Sequence, residues 1–211
     1  MLQFIDNTYK IDKNPDISII SVTKSHPLSV VKEAIDNGVR IFGENKVQEA
    51  IIKYKDLKHK YDDLKLHMIG PLQSNKVKSA IQVFDYFHTL DREKLAYEFS
   101  KYEKTINSKF FFIQVNTGRE SQKTGIFPEV ASEFIQFCKY DLKLNIIGLM
   151  CLPPILDDPQ QHFSNLQELA FKNNLKHLSM GMSNDYKIAL NCKSTFIRIG
   201  SLFFGERESV K

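Results

Sequence analysis

The sequence predicts an α/β chain folded as one closed (β/α)8 barrel, and three observations carry that expectation. Short β-branched or aromatic runs alternate with longer segments of helical period; eight such runs can be counted; and no linker or low-complexity stretch interrupts them. Alternation of this kind places parallel strands in one sheet under a cover of helices, and eight of them suit a sheet closed on itself. An open doubly wound sheet is the alternative, but its G-x-G-x-x-G fingerprint is absent after the first strand. With 211 residues and 42% hydrophobic content the chain can bury one large core, so a single domain over residues 1–211 is expected.

The first strand is read at Ile17–Val22. Pro27 then suits the first position of a helix over Leu28–Asn37, where its missing N–H would find no acceptor, and Asn37-Gly38 supplies a left-handed stop. Strands follow at Val39–Gly43, Leu66–Ile69 and Tyr86–Leu90, separated by helices at Lys46–Leu57 and Asn75–Val83. Asp91 is placed to cap a helix over Arg92–Tyr102. After a strand at Phe110–Val115, Pro128 opens a helix that runs to Tyr140. Strands at Asn145–Met150, His177–Met180 and Phe196–Ile199 complete the set, with helices at Pro159–Asn173 and Asp185–Asn191 between them.

Composition removes several classes of function. The net charge of +4 is carried mostly by lysines interleaved with acids, as in KDLKHKYDDLK (Lys55–Lys65), which reads as a solvated helix face. No nucleic-acid module accompanies it, so no nucleic-acid partner is expected. No apolar run approaches the roughly 20 residues needed to cross a bilayer, and MLQFIDNTYKIDKNPD lacks the apolar core of a signal peptide. A cytoplasmic protein without a membrane partner is expected. Cys138, Cys151 and Cys192 form no C-x-x-C pair and read as free thiols, and no histidine or carboxylate spacing suggests a metal.

Barrel sites gather at the C-terminal ends of the strands, and phosphates commonly sit on the loops after strands seven and eight. The informative residues fall there: Lys24 closing strand one, Asn45 in FGEN, His67 in LHMIGPLQSNK, LSMGMS (Leu178–Ser183), and Arg198 to Ser201 in RIGS. An unpaired ammonium buried at a strand end costs several kcal/mol, so Lys24 must reach water or find a use. Desolvation and a nearby cation would make its amine nucleophilic toward an aldehyde; snorkelling outward from a surface loop is the plain alternative. Gly181 allows close backbone approach between the hydroxyls of Ser179 and Ser183, while Gly200 and Ser201 can present N–H groups to an anion. Each motif alone reads as a turn; their joint position suggests an imine-forming lysine beside a phosphate cradle. His67 and His88 read as packed, hydrogen-bonded residues, with His67 the better site candidate. The tyrosines, Tyr54 among them, read as packing residues.

Seven stretches now matter together: SVTKSHP around Lys24, NGVRIFGENKVQEA (Asn37–Ala50), LHMIGPLQSNKVK (Leu66–Lys78), QVNTGRESQKTGI (Gln114–Ile126), IIGLMCLPP (Ile146–Pro154), LSMGMSNDY (Leu178–Tyr186) and FIRIGSLFFGER (Phe196–Arg207). They cover nearly the whole chain in order, and the chain resembles the YggS/PROSC family of pyridoxal phosphate homeostasis proteins. The resemblance implies a fold-type III TIM barrel, related to the N-terminal domain of alanine racemase, that holds pyridoxal 5′-phosphate (PLP) as a Schiff base on Lys24. It implies that Ser179, Ser183, Gly200 and Ser201 hold the phosphate, Asn45 lines the ring and Arg198 faces the pyridine nitrogen; His67 and Met180 complete the candidate binding set. It further implies a vitamin B6 carrier with no catalytic residues, expected to be a monomer, whose candidate partners are the apo forms of PLP-dependent enzymes.

Arg198 can only donate to the ring nitrogen, which leaves the ring neutral and a weak electron sink. The chain ends soon after strand eight, so the added β-domain that brings a tyrosine to related racemases is not expected. Only a short stretch precedes strand one, so the family's first helix is expected to be largely missing. An amino-acid racemase of low efficiency, and a barrel aldolase forming imines with sugar phosphates, are the alternatives.

Overall fold

Eight strands pair in parallel in chain order and close into a barrel in the computed structural model, which describes residues 16–205. They are β1 (Ser18–Val22), β2 (Ile41–Glu44), β3 (Lys65–Met68), β4 (Tyr86–Leu90), β5 (Phe110–Val115), β6 (Ile146–Cys151), β7 (His177–Met182) and β8 (Phe196–Ile199). Closure is made by β8 on β1, in register from Ser18 opposite Phe196 to Ser21 opposite Ile199. The helices are α1 (Leu28–Asp36), α2 (Val47–Lys60), α3 (Val77–Val83), α4 (Glu93–Ser100), α5 (Glu103–Ile106), α6 (Pro128–Gln136), α7 (Pro159–Lys172), α8 (Tyr186–Asn191) and α9 (Ser201–Phe204). The expectation that the family's first helix is largely missing concerns residues 1–15, which lie outside the described residues, as does Arg207.

Strand alternation sorts the side chains between two cores. Ile20, Phe112, Met150 and Phe196 pack together inside the barrel. Their neighbours along the same strands, Ile19, Ile197 and Phe111, face outward against helices. The larger outer core includes Phe42, Tyr54, Phe87, Phe99 and Phe163. Among the described residues no helix is long and apolar enough to cross a membrane. All three cysteines are free and buried, and burial pushes the Cys138 and Cys151 thiols up to about 12.

Four local expectations need correction. Asp91 does not cap α4: its carboxylate pairs with the guanidinium of Arg92, which itself occupies the N-cap position. The helix expected over Arg92–Tyr102 breaks after Ser100 and resumes at Glu103. Pro27 sits one residue ahead of α1, in an extended conformation, whereas Pro128 does open α6. Strand β7 also runs two residues further than its apolar pattern predicts. Its register against β8 shifts between Ser179 and Met182, around Gly181 at φ +94°. A Cβ on Gly181 would lie 2.6 Å from that of Ala189, so glycine is what allows α8 to press on the bulge.

Candidate binding site at the barrel mouth

Because β1 and β8 pair up to Ser21 and Ile199, the turns that follow them are neighbours. A Cβ on Gly200 would sit 3.4 Å from the Cβ and carbonyl oxygen of Val22. Further along, the rings of His26 and Phe204 stand 5.2 Å apart. Lys24 lies between these two contacts, half-buried in a turn two residues beyond the end of β1 rather than at the strand end itself. On the other side of Gly200, Ser201 Oγ donates to Ser183 Oγ at 3.0 Å and ties the ends of β7 and β8 together. The first N–H groups of a helical turn such as α9 find no acceptor inside it. Hydroxyls and N–H groups collected in this way can surround an anion. The nearby Asp185 carboxylate is turned away from that role, since it accepts the N–H of Met182 at 2.6 Å.

A file of polar side chains forms the floor below. Arg198, 5% exposed, donates through Nη1 to the carbonyl and Oγ of Ser179 at 2.7 and 2.8 Å, and through Nη2 to the carbonyl of Cys151 at 3.0 Å. Ser179 Oγ meets His88 Nδ1 at 2.8 Å, and His88 Nε2 meets His67 Nδ1 at 2.8 Å. The His67 ring stacks on Tyr86 with centroids 4.2 Å apart. Burial, helped by Lys58, pushes His67 down to about 3. Burial first, then His67 and Arg198, holds His88 well below the usual imidazole range. Both rings are therefore neutral at pH 7, each with one N–H and one acceptor nitrogen. Only two proton arrangements keep every bond of the file, and they run in opposite directions. Burial also lowers the pKa of Arg198, with Cys151 and Asp185 opposing it, and the guanidinium stays protonated.

The structure thus gathers Lys24, Ser183, Gly200 and Ser201 on one rim, with Arg198 beneath. Asn45 follows the end of β2, and its backbone is packed so tightly on Gly70 that a Cβ there would lie 2.5 Å from its carbonyl oxygen. Ser179 does not join Ser183: it is fully buried, its hydroxyl is engaged by His88 and Arg198, and the Gly181 bulge separates the two serines. His67 lies in the interior, behind His88. Met180 points into the outer core, because alternation turns it opposite to Ser179, and its carbonyl accepts from Ser194 at 2.7 Å. Sequence reasoning missed a buried group behind the Lys24 turn, made of Thr23, Glu44, Glu49, Lys53 and Tyr54. The spacing of Glu49 and Lys53, four residues apart on one helix, was the available signal.

The alanine racemase N-terminal domain family matches residues 6–208. A pyridoxal phosphate homeostasis protein of Aquifex aeolicus is 38% identical over 200 residues, which span 90% of this chain and 87% of that protein. Another, of Vibrio cholerae, is 38% identical over 204 residues, spanning 91% and 86%. The chain belongs to the pyridoxal phosphate homeostasis proteins, within the alanine racemase N-terminal domain family. A solved structure of PipY from Synechococcus elongatus PCC7942 with PLP bound is similar at 29% identity and a TM-score of 0.83, covering 96% of this chain and all of that one. Alanine racemase of Clostridium difficile 630, at 18% identity and a TM-score of 0.74, covers 99% of this chain but 57% of its own, a likeness of fold alone. Membership in the homeostasis protein family agrees with the barrel architecture expected from the strand count.

Proposed function

We propose that the protein binds PLP as a Schiff base on Lys24 and serves intracellular vitamin B6 homeostasis as a carrier without catalytic turnover. One observation carries this reading: the turn bearing Lys24 packs against the turn whose Ser201 hydroxyl joins Ser183. Relatives named pyridoxal phosphate homeostasis proteins, and PipY solved with PLP bound, support the choice of ligand.

The residues present fit that group. Ser183, Ser201 and the N–H groups around Gly200 are donors suited to a phosphate, and Asn45 is the side chain assigned to the ring. When bound, PLP supplies an aldehyde for covalent attachment and an electron-withdrawing ring. Arg198, held by Ser179 and Cys151, is assigned to the ring nitrogen, where a permanent donor disfavours ring protonation and weakens the sink. Ser179, His88 and His67 support Arg198 from below, and Met180 contributes through its backbone. The carrier is read as a cytoplasmic, single-domain monomer over residues 1–211, with apo PLP-dependent enzymes as its partners.

Titration of the purified protein with PLP tests this directly. A visible absorbance band should appear, borohydride should trap the adduct on the peptide containing Lys24, and Lys24→Ala should abolish both. A protein that stays colourless, or an adduct that survives Lys24→Ala, overturns the reading. Incubation with single L-amino acids addresses the racemase alternative, which enzyme-like racemisation rates would favour.

A further inference from the structure

One helix grips the backbone on both sides of Lys24. On the upstream side, the carbonyl of Thr23 accepts from Lys53 Nζ at 2.7 Å. The Thr23 hydroxyl donates to Glu44 Oε1 at 2.8 Å, so it must accept the phenol proton of Tyr54, 2.6 Å away. On the downstream side, the N–H of Ser25 donates to Glu49 Oε1 at 2.6 Å. Lys53 Nζ closes the lattice, at 3.0 Å from Glu44 Oε1 and 2.6 Å from Glu49 Oε1. Glu49, Lys53 and Tyr54 all belong to α2: the four-residue spacing of Glu49 and Lys53 brings those two to one face of it, and Tyr54 reaches the Thr23 hydroxyl from the adjoining flank.

The grip opposes a strain. Ser25 is held at φ +63°, a left-handed conformation that costs a side-chain-bearing residue about 1–2 kcal/mol. A turn in that state persists only where its surroundings impose it. The surroundings here are costly in themselves: Thr23, Glu44, Lys53 and Tyr54 are each 7% exposed or less, and Glu44 Oε2 is buried without a hydrogen-bond partner. Apolar residues of similar volume commonly match or exceed the stability of such a buried ionic group. What they could not supply is the set of directed bonds to Thr23 and Ser25.

We infer that Glu49 and Lys53, with Thr23, Glu44 and Tyr54, form a positioning clamp that fixes the turn carrying Lys24 and so sets how readily its amine captures an aldehyde. Capture is a condensation in which a C=N bond forms between amine and aldehyde carbon and one water leaves; the clamp acts through its bonds to Thr23 and Ser25, on either side of Lys24. The inference rests on Lys24 as the attachment point and deepens that reading.

Four proteins test it by absorbance titration with PLP: wild type, Glu49→Ala, Glu49→Gln and the double variant Glu49→Ala with Ser25→Gly. Glu49→Ala should weaken adduct formation about tenfold, ~1.4 kcal/mol. Glu49→Gln keeps an acceptor for the Ser25 N–H and should recover most of that loss. Ser25→Gly should recover it too, because glycine adopts positive φ without penalty. Inorganic phosphate, used as a competitor, should bind all four equally, since the cradle is untouched; a general loosening of the fold would weaken it. An unchanged constant in Glu49→Ala, a loss that Ser25→Gly leaves in place, or a parallel loss of phosphate affinity each overturns the clamp. A wild type that forms no adduct at all takes the proposed function down with it, whereas normal wild-type binding with an indifferent Glu49→Ala removes only the clamp.

Discussion

Two buried polar groups lie close to Lys24 and are built from opposite materials. Inside the barrel, His67, His88, Ser179 and Arg198 form a file in which the guanidinium is the only formal charge. Outside the barrel wall, Glu44, Glu49 and Lys53 crowd around a single carboxylate-ammonium junction. The difference follows from enclosure. Strands surround the interior on all sides, so burial strips the histidines of their second protons. The outer group lies between β2 and α2, where Glu49 remains 23% exposed and keeps a charged form in reach of water. Bonds from Ser25 and Lys53 hold the Glu49 carboxyl below its usual range even against its burial, while burial raises that of fully enclosed Glu44 despite Lys53. Direction in the first group comes from tautomers; in the second it comes from ion pairs.

The sharpest way to break this contrast is to remove the cation from the outer group. Lys53→Met strands the Glu44 carboxylate and should cost about 3–5 kcal/mol in denaturant unfolding. Adding Glu44→Leu should return much of it, and equal stability of wild type and single variant would mean the charges do not compensate one another. Removing the interior charge should do less. Arg198→Gln forfeits hydrogen bonds from a charged donor, worth about 2 kcal/mol, and should speed PLP release while the chain stays folded. Unchanged retention would show that Arg198 is remote from the ligand.

Acid should act on the interior file through its histidines. The folded-state pKa of His67 lies near 3, so between about pH 6.5 and 3 the unfolded chain binds a proton that the folded chain refuses. Stability is therefore greatest above pH 6.5 and falls on acidification, by about 1.4 kcal/mol per pH unit for each such histidine. His67→Phe should lessen that slope without abolishing it, because burial also holds His88 and His177 below the usual imidazole range; an unaltered slope would place the proton uptake elsewhere. The smallest effect is expected at the rim. Ser201→Ala removes one hydroxyl donor and should weaken PLP binding by roughly fivefold, about 1 kcal/mol, with no change in melting temperature.

Much of the fold was legible because alternation within a strand needs no partner to be read. FIRI places Phe196 and Arg198 on one face and Ile197 and Ile199 on the other, and the barrel uses both faces as that pattern requires. The rim residues were legible for a related reason: Lys24, Ser183, Gly200 and Ser201 follow strand ends, and closure brings strand ends together. The depth of Ser179 and His67 was not. Three residues separate Ser179 from Ser183, but the Gly181 bulge interposes a register shift that no local pattern announces. The Asp91 cap failed because an adjacent arginine competed for the carboxylate.

The order of elements, the faces of the strands and the positions of the turn-forming glycines were determined by the sequence alone, since each depends on residues within a few positions of one another. Only the tertiary structure decided which polar atoms meet. His67 and His88 are 21 residues apart, and Thr23 and Tyr54 are 31. Such pairs exist because strand register and helix docking bring distant backbone segments within a hydrogen bond of each other. Burial then assigns their charges, and burial is a property of the closed barrel rather than of any segment in it.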